Sequence, residues 1–361
     1  MPRDRAFWWV LGSLVLAGAV IGFLGNRPHS VSLTLAPGLP PPGRQEAKAR
    51  SFRMEAFQPV VSIPAGESLP LKSPTALRVD GEGNLYVLDS GDRRIKKYSA
   101  TGEPRVAFGA EDLQNPSDVA VAPGGAVWVL DPNPRKVLIF DPQGAVTRRV
   151  TFDRLVWRLV LDDGGGFVAT LPAGTSTLFQ RYSSAGLPGS SFGTLFPSEL
   201  QNALTMDGWM VDAGSGAFIY VFIHEGLLAS YSPDGRLRYL RATIEAPPLP
   251  QIRVDAAGGQ TIDPDAQKSS ISGSLSEKDL YVLALAAPGT RRVLDVYDAE
   301  SGSYRYSLEP PDRDTRYVIV TPQRLYSASR SRVTVWRRES GAHPGTPPAP
   351  AAVSPQLHER R

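Results

Sequence analysis

The chain has 361 residues, with 34 Gly, 33 Pro, no Cys and a formal net charge of +3. The absence of cysteine excludes disulfides, zinc–thiolate sites, thiol nucleophiles and a lipidated cysteine. Residues 51–336 carry 29 Lys and Arg against 32 Asp and Glu, so the positive excess lies in the tails; a nucleic-acid binder needs the opposite balance, and no nucleic-acid partner is expected.

Residues 1–6 read as a short cytoplasmic segment. Residues 7–24, "FWWVLGSLVLAGAVIGFL", carry no charge. With the residues on either side the stretch spans ~30 Å as a helix, the thickness of a bilayer's hydrocarbon core. Arg3 and Arg5 precede it, and Trp8 and Trp9 fall where an interfacial belt would lie. Ala17–Ala19 offers a signal-peptide cleavage site, but the apolar run continues through Val20, Ile21, Phe23 and Leu24. The reading is a transmembrane signal anchor over 7–25, which places the rest on the extracytoplasmic side of the cell membrane as a single-pass protein. Residues 26–50 read as a Pro-rich linker with a reach of at most ~80 Å. Residues 339–361 read as a disordered Pro/Ala-rich tail.

Between them lies a repeat. Residues 74–103, "PTALRVDGEGNLYVLDSGDRRIKKYSATGE", align without a gap with residues 116–145, "PSDVAVAPGGAVWVLDPNPRKVLIFDPQGA", at a spacing of 42. A fixed period of this size means one repeated supersecondary unit. Gly or Asp separates short apolar runs, giving strands near 76–80, 84–89, 93–99 and 104–108 joined by hairpin turns. A four-stranded antiparallel unit of ~40 residues is a β-propeller blade. More diverged copies follow at 158–186, 209–235, 279–302 and 316–337. The last has three strands, and "FRMEAFQPVVSI" at 52–63 is the candidate for the fourth. The expected architecture is an all-β six-bladed β-propeller over 51–338, preceded by one transmembrane helix. Residues 243–278 read as an insertion, with a worn seventh blade as the alternative.

The two aligned stretches resemble NHL-type repeats, whose pattern runs P-x-x-[ILV]-x-[ILV]-D, G-x-[ILV]-[YW]-V-x-D, then R-[IV], an aromatic and a Gly. The resemblance implies a six-bladed propeller superfamily member whose bacterial relatives are commonly envelope or exported proteins. Known functions there include protein binding, RNA binding and amidating-lyase catalysis, and none is singled out. The lyase members use several histidines around metals; here only His224 falls inside the repeats. Gluconolactonase-type propellers hold a metal at the channel mouth. Asp118, Asp207 and Asp212 lie near inner-strand ends and leave that option open, although no cofactor is implied.

The acidic glycine stretch "DGEGN" at 80–84 has a calcium-loop flavour but lacks the bidentate Glu at its twelfth position, and the second copy replaces it with "APGGA". Turn chemistry explains it. Asp89 and Asp131 recur at one repeat position, as do Arg93 and Arg135, which points to structure: an Asp accepting backbone N–H bonds across its turn, paired with the Arg of its blade. "RRIKK" at 93–97 reads as a charged strand guarding an exposed edge.

Function is sought where the blades differ. Trp157 and Arg158 stand where the second blade has Ser117 and Asp118. Trp209 lies in the fourth inner strand, and Phe196 opens the extra connection 196–204. His224 and Glu225 occupy a blade hairpin. These six are the candidate ligand-binding residues. Connections open onto a propeller face, and Trp and Arg dominate binding hot spots. No catalytic residue is assigned. The expected function is a non-catalytic binding or scaffold module for an envelope protein, peptide or glycan. The alternative is a propeller hydrolase or lyase with a metal at the channel mouth.

Overall fold

The computed structural model describes residues 29–32, 34–63, 69–171, 176–197, 207–247, 250–255, 260–262, 266–286 and 291–339. The expected membrane segment, nearly all of the 196–204 connection and the tail beyond Glu339 lie outside the described residues. Among the described residues there is no helix, and none long and apolar enough to cross a membrane.

Six four-stranded antiparallel sheets follow one another along the chain. Their innermost strands are Pro74–Val79, Asp118–Val121, Leu159–Leu161, Gly208–Asp212, Ser270–Ser276 and Tyr317–Val320. Each touches the next, and the sixth touches the first, so the ring is closed around a central channel. The closing device is the expected one. Ala56–Ile63 pairs with Val333–Glu339 as the fourth strand of the last blade, in register from Ala56 with Glu339 to Ile63 with Val333. The second strands of the first two blades, Leu85–Asp89 and Val127–Asp131, are buried throughout, because each is sandwiched between neighbouring sheets.

The closing glycine of the repeat has a double cause. Gly144 adopts φ +94°, and a Cβ there would meet the Phe108 ring at 2.6 Å, on the outermost strand of the preceding blade. Gly102, Gly186, Gly235 and Gly302 sit in the equivalent turns, each against the blade before it. The turn must bend left-handed and let the next sheet approach closely; glycine satisfies both.

Two expectations change. The polar stretch inside 243–278 is not all insertion, since Ser270–Ser276 is the inner strand of the fifth blade. Its buried serines replace apolar contacts with hydrogen bonds to adjacent blades: Val318 N donates to Ser272 Oγ (3.2 Å), Val320 N donates to Ser274 Oγ (2.9 Å), and Ser270 Oγ donates to Phe222 O (2.6 Å). The true insertion is the hairpin Gln251–Val254 and Gln260–Ile262, which forms a separate three-stranded sheet with His29–Ser32. Among the described residues it forms no seventh blade.

The segment expected to be a free linker is instead a strap. Ala36 N donates to Leu195 O (2.8 Å), and Gly43 N donates to Leu240 O (2.9 Å). Gln45 donates to Ala242 O and Gly302 O and accepts from Tyr304 N. Arg50 forks onto buried Asp295 at 2.9 and 3.0 Å and also meets Glu245. Leu35 and Leu39 pack on the core of the third and fourth blades. The strap thereby covers outer strands of the fourth and fifth blades, which would otherwise present unpaired backbone.

Candidate functional site

The pairing registers place one residue from each blade at a common level of the channel. Ala76, Asp118, Trp209, Ser272 and Tyr317 lie opposite Leu88, Leu130, Val221, Leu283 and Ala328, and Arg158 O accepts from Thr170 N at the matching step of the third blade. Antiparallel blades all start their inner strands at the same end of the channel. That end, the mouth, also receives the hairpin between second and third strands, where His224 and Glu225 sit.

Arg158 is the centre of the arrangement. Its guanidinium lies 4.2 Å over the Trp209 ring. Nε donates to Gly208 O (3.2 Å), Nη1 donates to Ser117 O (3.3 Å), and Nη2 stands 3.7 Å from Asp207 Oδ1. One side chain thus ties the second, third and fourth blades. Burial pulls its pKa down, but Asp207 and Asp118, with smaller contributions from Tyr317 and Tyr220, outweigh that and hold it above the usual arginine value. Trp209 meets Tyr317 edge-on at 5.5 Å, reaching past the fifth blade to the sixth. Arg158, Trp209 and Tyr317 therefore form a plug across the mouth. Beyond it the inner strands of all six blades enclose a cavity of 220 Å³, with Arg78 and Ser274 among its polar lining.

Asp118 is committed elsewhere. It accepts from Arg78 Nη2 (3.0 Å), from Val119 N (2.9 Å) and from Leu159 N (3.1 Å), clasping three inner strands. Asp212 is exposed at the opposite end of its strand. The three aspartates considered for a channel metal do not converge, and among the described residues no group of three His, Asp or Glu could hold a metal ion.

His224 and Glu225 form the second part of the mouth. Glu225 is 1% exposed; Oε2 accepts from His224 N (3.3 Å), and Oε1 has no hydrogen-bond partner among the described residues. Burial above all, with Asp207 adding to it, pushes its carboxyl well above the usual carboxylate range. Burial first and Lys268 second pull the His224 pKa down, leaving a neutral imidazole, whose Nδ1 also lacks a partner among the described residues. The indole N–H groups of Trp157 and Trp209 are unpartnered in the same sense.

Five of the six expected residues thus belong to the mouth. Phe196 does not: it is fully buried, edge-on to Phe222 in the core of the third and fourth blades. Tyr317 and Ser117 were missed by the sequence reading. Their signal was the register, since both occupy mouth positions equivalent to residues already chosen. A larger open groove of 420 Å³ lies at the far end, between the first and sixth blades, lined in part by the 80–83 turn. There Asp80 Oδ1 accepts from Glu82 N and Asn84 N at 3.0 and 2.8 Å, which is turn chemistry.

No family model and no curated protein matches this chain. Solved structures do. The Bacteroides fragilis "putative exported protein" superposes with TM-score 0.58 at 10% identity over 82% of this chain and 99% of its own. A streptogramin B lyase gives 0.52 at 10% identity, over 79% and 98%; virginiamycin B lyase from Staphylococcus aureus gives 0.52 at 10% identity, over 79% and 99%. At such identities the likeness establishes the fold class, a six-bladed β-propeller, and nothing finer.

Proposed function

We propose that this protein is an envelope-anchored six-bladed propeller of NHL-like type that binds a protein, peptide or glycan at its channel mouth without transforming it. The observation that carries the reading is the clustering of unpartnered polar groups around the Arg158–Trp209–Tyr317 plug. An unpaired buried donor or acceptor costs about 1–3 kcal/mol, which a ligand carrying complementary groups recovers. Arg158 and the two indoles suit carboxylate or carbonyl oxygens; Asp207 suits a donor. The apolar segment 7–25 supports the membrane address. Photo-crosslinking in intact cells, comparing the full chain with Trp157→Ala and Arg158→Ala, tests it. Loss of specific adducts with folding intact is the expected result; unchanged adducts would remove the mouth from consideration.

A second reading, a hydrolase or lyase, draws on one observation. His224 and Glu225 are adjacent titratable residues on one hairpin, the imidazole pKa pulled down and the carboxyl pKa pushed up, and opposed shifts of this kind are found at reacting centres. Turnover of a captured ligand that is abolished by His224→Gln, with capture retained, would favour it over the binding module.

A further inference from the structure

We propose that the first strand and the strap hold the propeller with its channel mouth turned toward the bilayer, so that the membrane surface is the partner of that face and the far face points away. The inference rests on reading 7–25 as a membrane anchor, and goes beyond it by fixing which way the propeller faces.

Distance is the first argument. His29–Ser32 pairs in register with Gln251–Val254, His29 opposite Val254 and Ser32 opposite Gln251. That hairpin lies in the connection between the fourth and fifth blades, and all such connections open on the mouth face. Ile252 is fully buried in the same core cluster as Phe222 and Leu227, so the small sheet is seated on the propeller rather than hanging from it. Only four residue steps separate Gly25 from His29. Fully extended they span ~14 Å, against the ~80 Å that a free stalk to residue 50 would allow. After the sheet, the strap is bonded to the rim at Ala36, Gly43, Gln45 and Arg50. No long flexible section is left through which the propeller could swing.

Charge is the second argument and is independent of the first. Turns at the far face, joining first to second and third to fourth strands, carry nine acidic residues and two basic ones. By sequence, the connections at the mouth face, with the inserted hairpin, carry fifteen acidic residues and eleven basic ones. A surface of anionic headgroups repels the first set, with a net charge of −7, more strongly than the second, with a net charge of −4, within a Debye length of about 8–10 Å. Tether and field select the same orientation. A ligand of the mouth must then be presented close to the membrane surface.

The absence of cysteine makes the test clean. Single-cysteine variants of the full chain, Arg154→Cys and Arg330→Cys on the mouth face and Glu82→Cys and Asp163→Cys on the far face, are labelled with a fluorophore. They are reconstituted in phosphatidylglycerol–phosphatidylethanolamine vesicles that carry a quencher on the headgroup. The expected result is several-fold stronger quenching at the two mouth positions, with the chain retained through an alkaline wash. Inserting a long Gly/Ser segment between Pro28 and His29 should abolish the difference. Retention with equal or inverted quenching overturns the orientation while leaving the anchor intact. Release by the wash overturns the anchor and the orientation together. A difference that survives the insertion overturns the role of the tether.

Discussion

The first two blades and the next two use one backbone plan for different ends. In the first blade Asp89, fully buried, accepts from Lys72 N (2.8 Å), Ser73 N (2.7 Å) and Lys96 Nζ (2.6 Å). In the second, Asp131 accepts from Gln114 N (2.7 Å) and Asn115 N (2.9 Å), with Lys136 at 3.8 Å. Each aspartate clamps the connection that leads into its own inner strand. The expected partners Arg93 and Arg135 are not used; both sit at left-handed φ, 58° and 62°, in the turn. At the matching positions the third and fourth blades have Leu171 and Phe222, both buried. With the clamp replaced by apolar packing, their connections are free to differ, and there Trp157, Arg158, Asp207 and Trp209 appear. Regular blades carry mainly structure, and Trp157, Arg158, Asp207 and Trp209 of the mouth stand in blades that lost the clamp, with the second blade adding the Ser117 carbonyl.

The largest break of this contrast is Asp89→Ala. It removes one of the two carboxylates that hold the Lys96 ammonium, which is 1% exposed and keeps only the Asp92 carboxylate at 2.9 Å. It also leaves the Lys72 and Ser73 N–H groups without their acceptor, and we expect a loss of about 4 kcal/mol in equilibrium unfolding. Adding Lys96→Leu should restore part of it; a loss under about 1 kcal/mol for the single variant would mean that the clamp is dispensable. Next is Trp209→Ala, which removes the plug. A cost of about 3 kcal/mol is expected together with loss of crosslinked partners, whereas the same loss of stability with partners retained would make Trp209 a filler only. Gly144→Ala tests a feature shared by regular and diverged blades and should cost about 2 kcal/mol, read as a lowered Tm.

Glu225→Gln sharpens the mouth side of the comparison. Because the folded carboxyl is held above its unfolded value of about 4.5, the folded state keeps a proton that the unfolded state releases. Stability of the parent chain therefore falls as pH rises above about 4.5, by up to about 1.4 kcal/mol per pH unit until the folded group ionises, and is unaffected below it. The glutamine variant should show a flatter profile, equal at pH 4 and more stable at pH 8; parallel profiles would contradict a raised Glu225 pKa. The smallest effect belongs to Glu82→Ala, in the acidic turn. Its backbone N–H donates to Asp80 while its side chain is exposed, so we expect a change within about 0.5 kcal/mol and no calcium-dependent shift in Tm.

Much of this was legible in the sequence. The gapless match of 74–103 with 116–145 requires one unit, and the three-stranded last copy requires a strand from elsewhere, which Ala56–Ile63 supplies. The strap was not legible, because Pro-rich composition looks alike whether the chain is solvated or laid on a rim. The fifth inner strand was obscured by its serines, whose hydrogen bonds across the ring replace the apolar signal. "RRIKK" misled for a similar reason. Lys96 is charged yet buried against Asp89, and Lys97 lies 4.9 Å over the Tyr86 ring, on an interior strand rather than an edge.

The sequence by itself determined the repeat and the turns that space its strands, because period, alternation and glycine position are local properties of the chain. Only the tertiary structure decided which unrepeated residues meet. Arg158, Trp209 and Tyr317 are up to 159 residues apart in the chain yet stack across one channel mouth. Ring closure sets the level and neighbour of each inner-strand residue, and no pattern within a single blade encodes that.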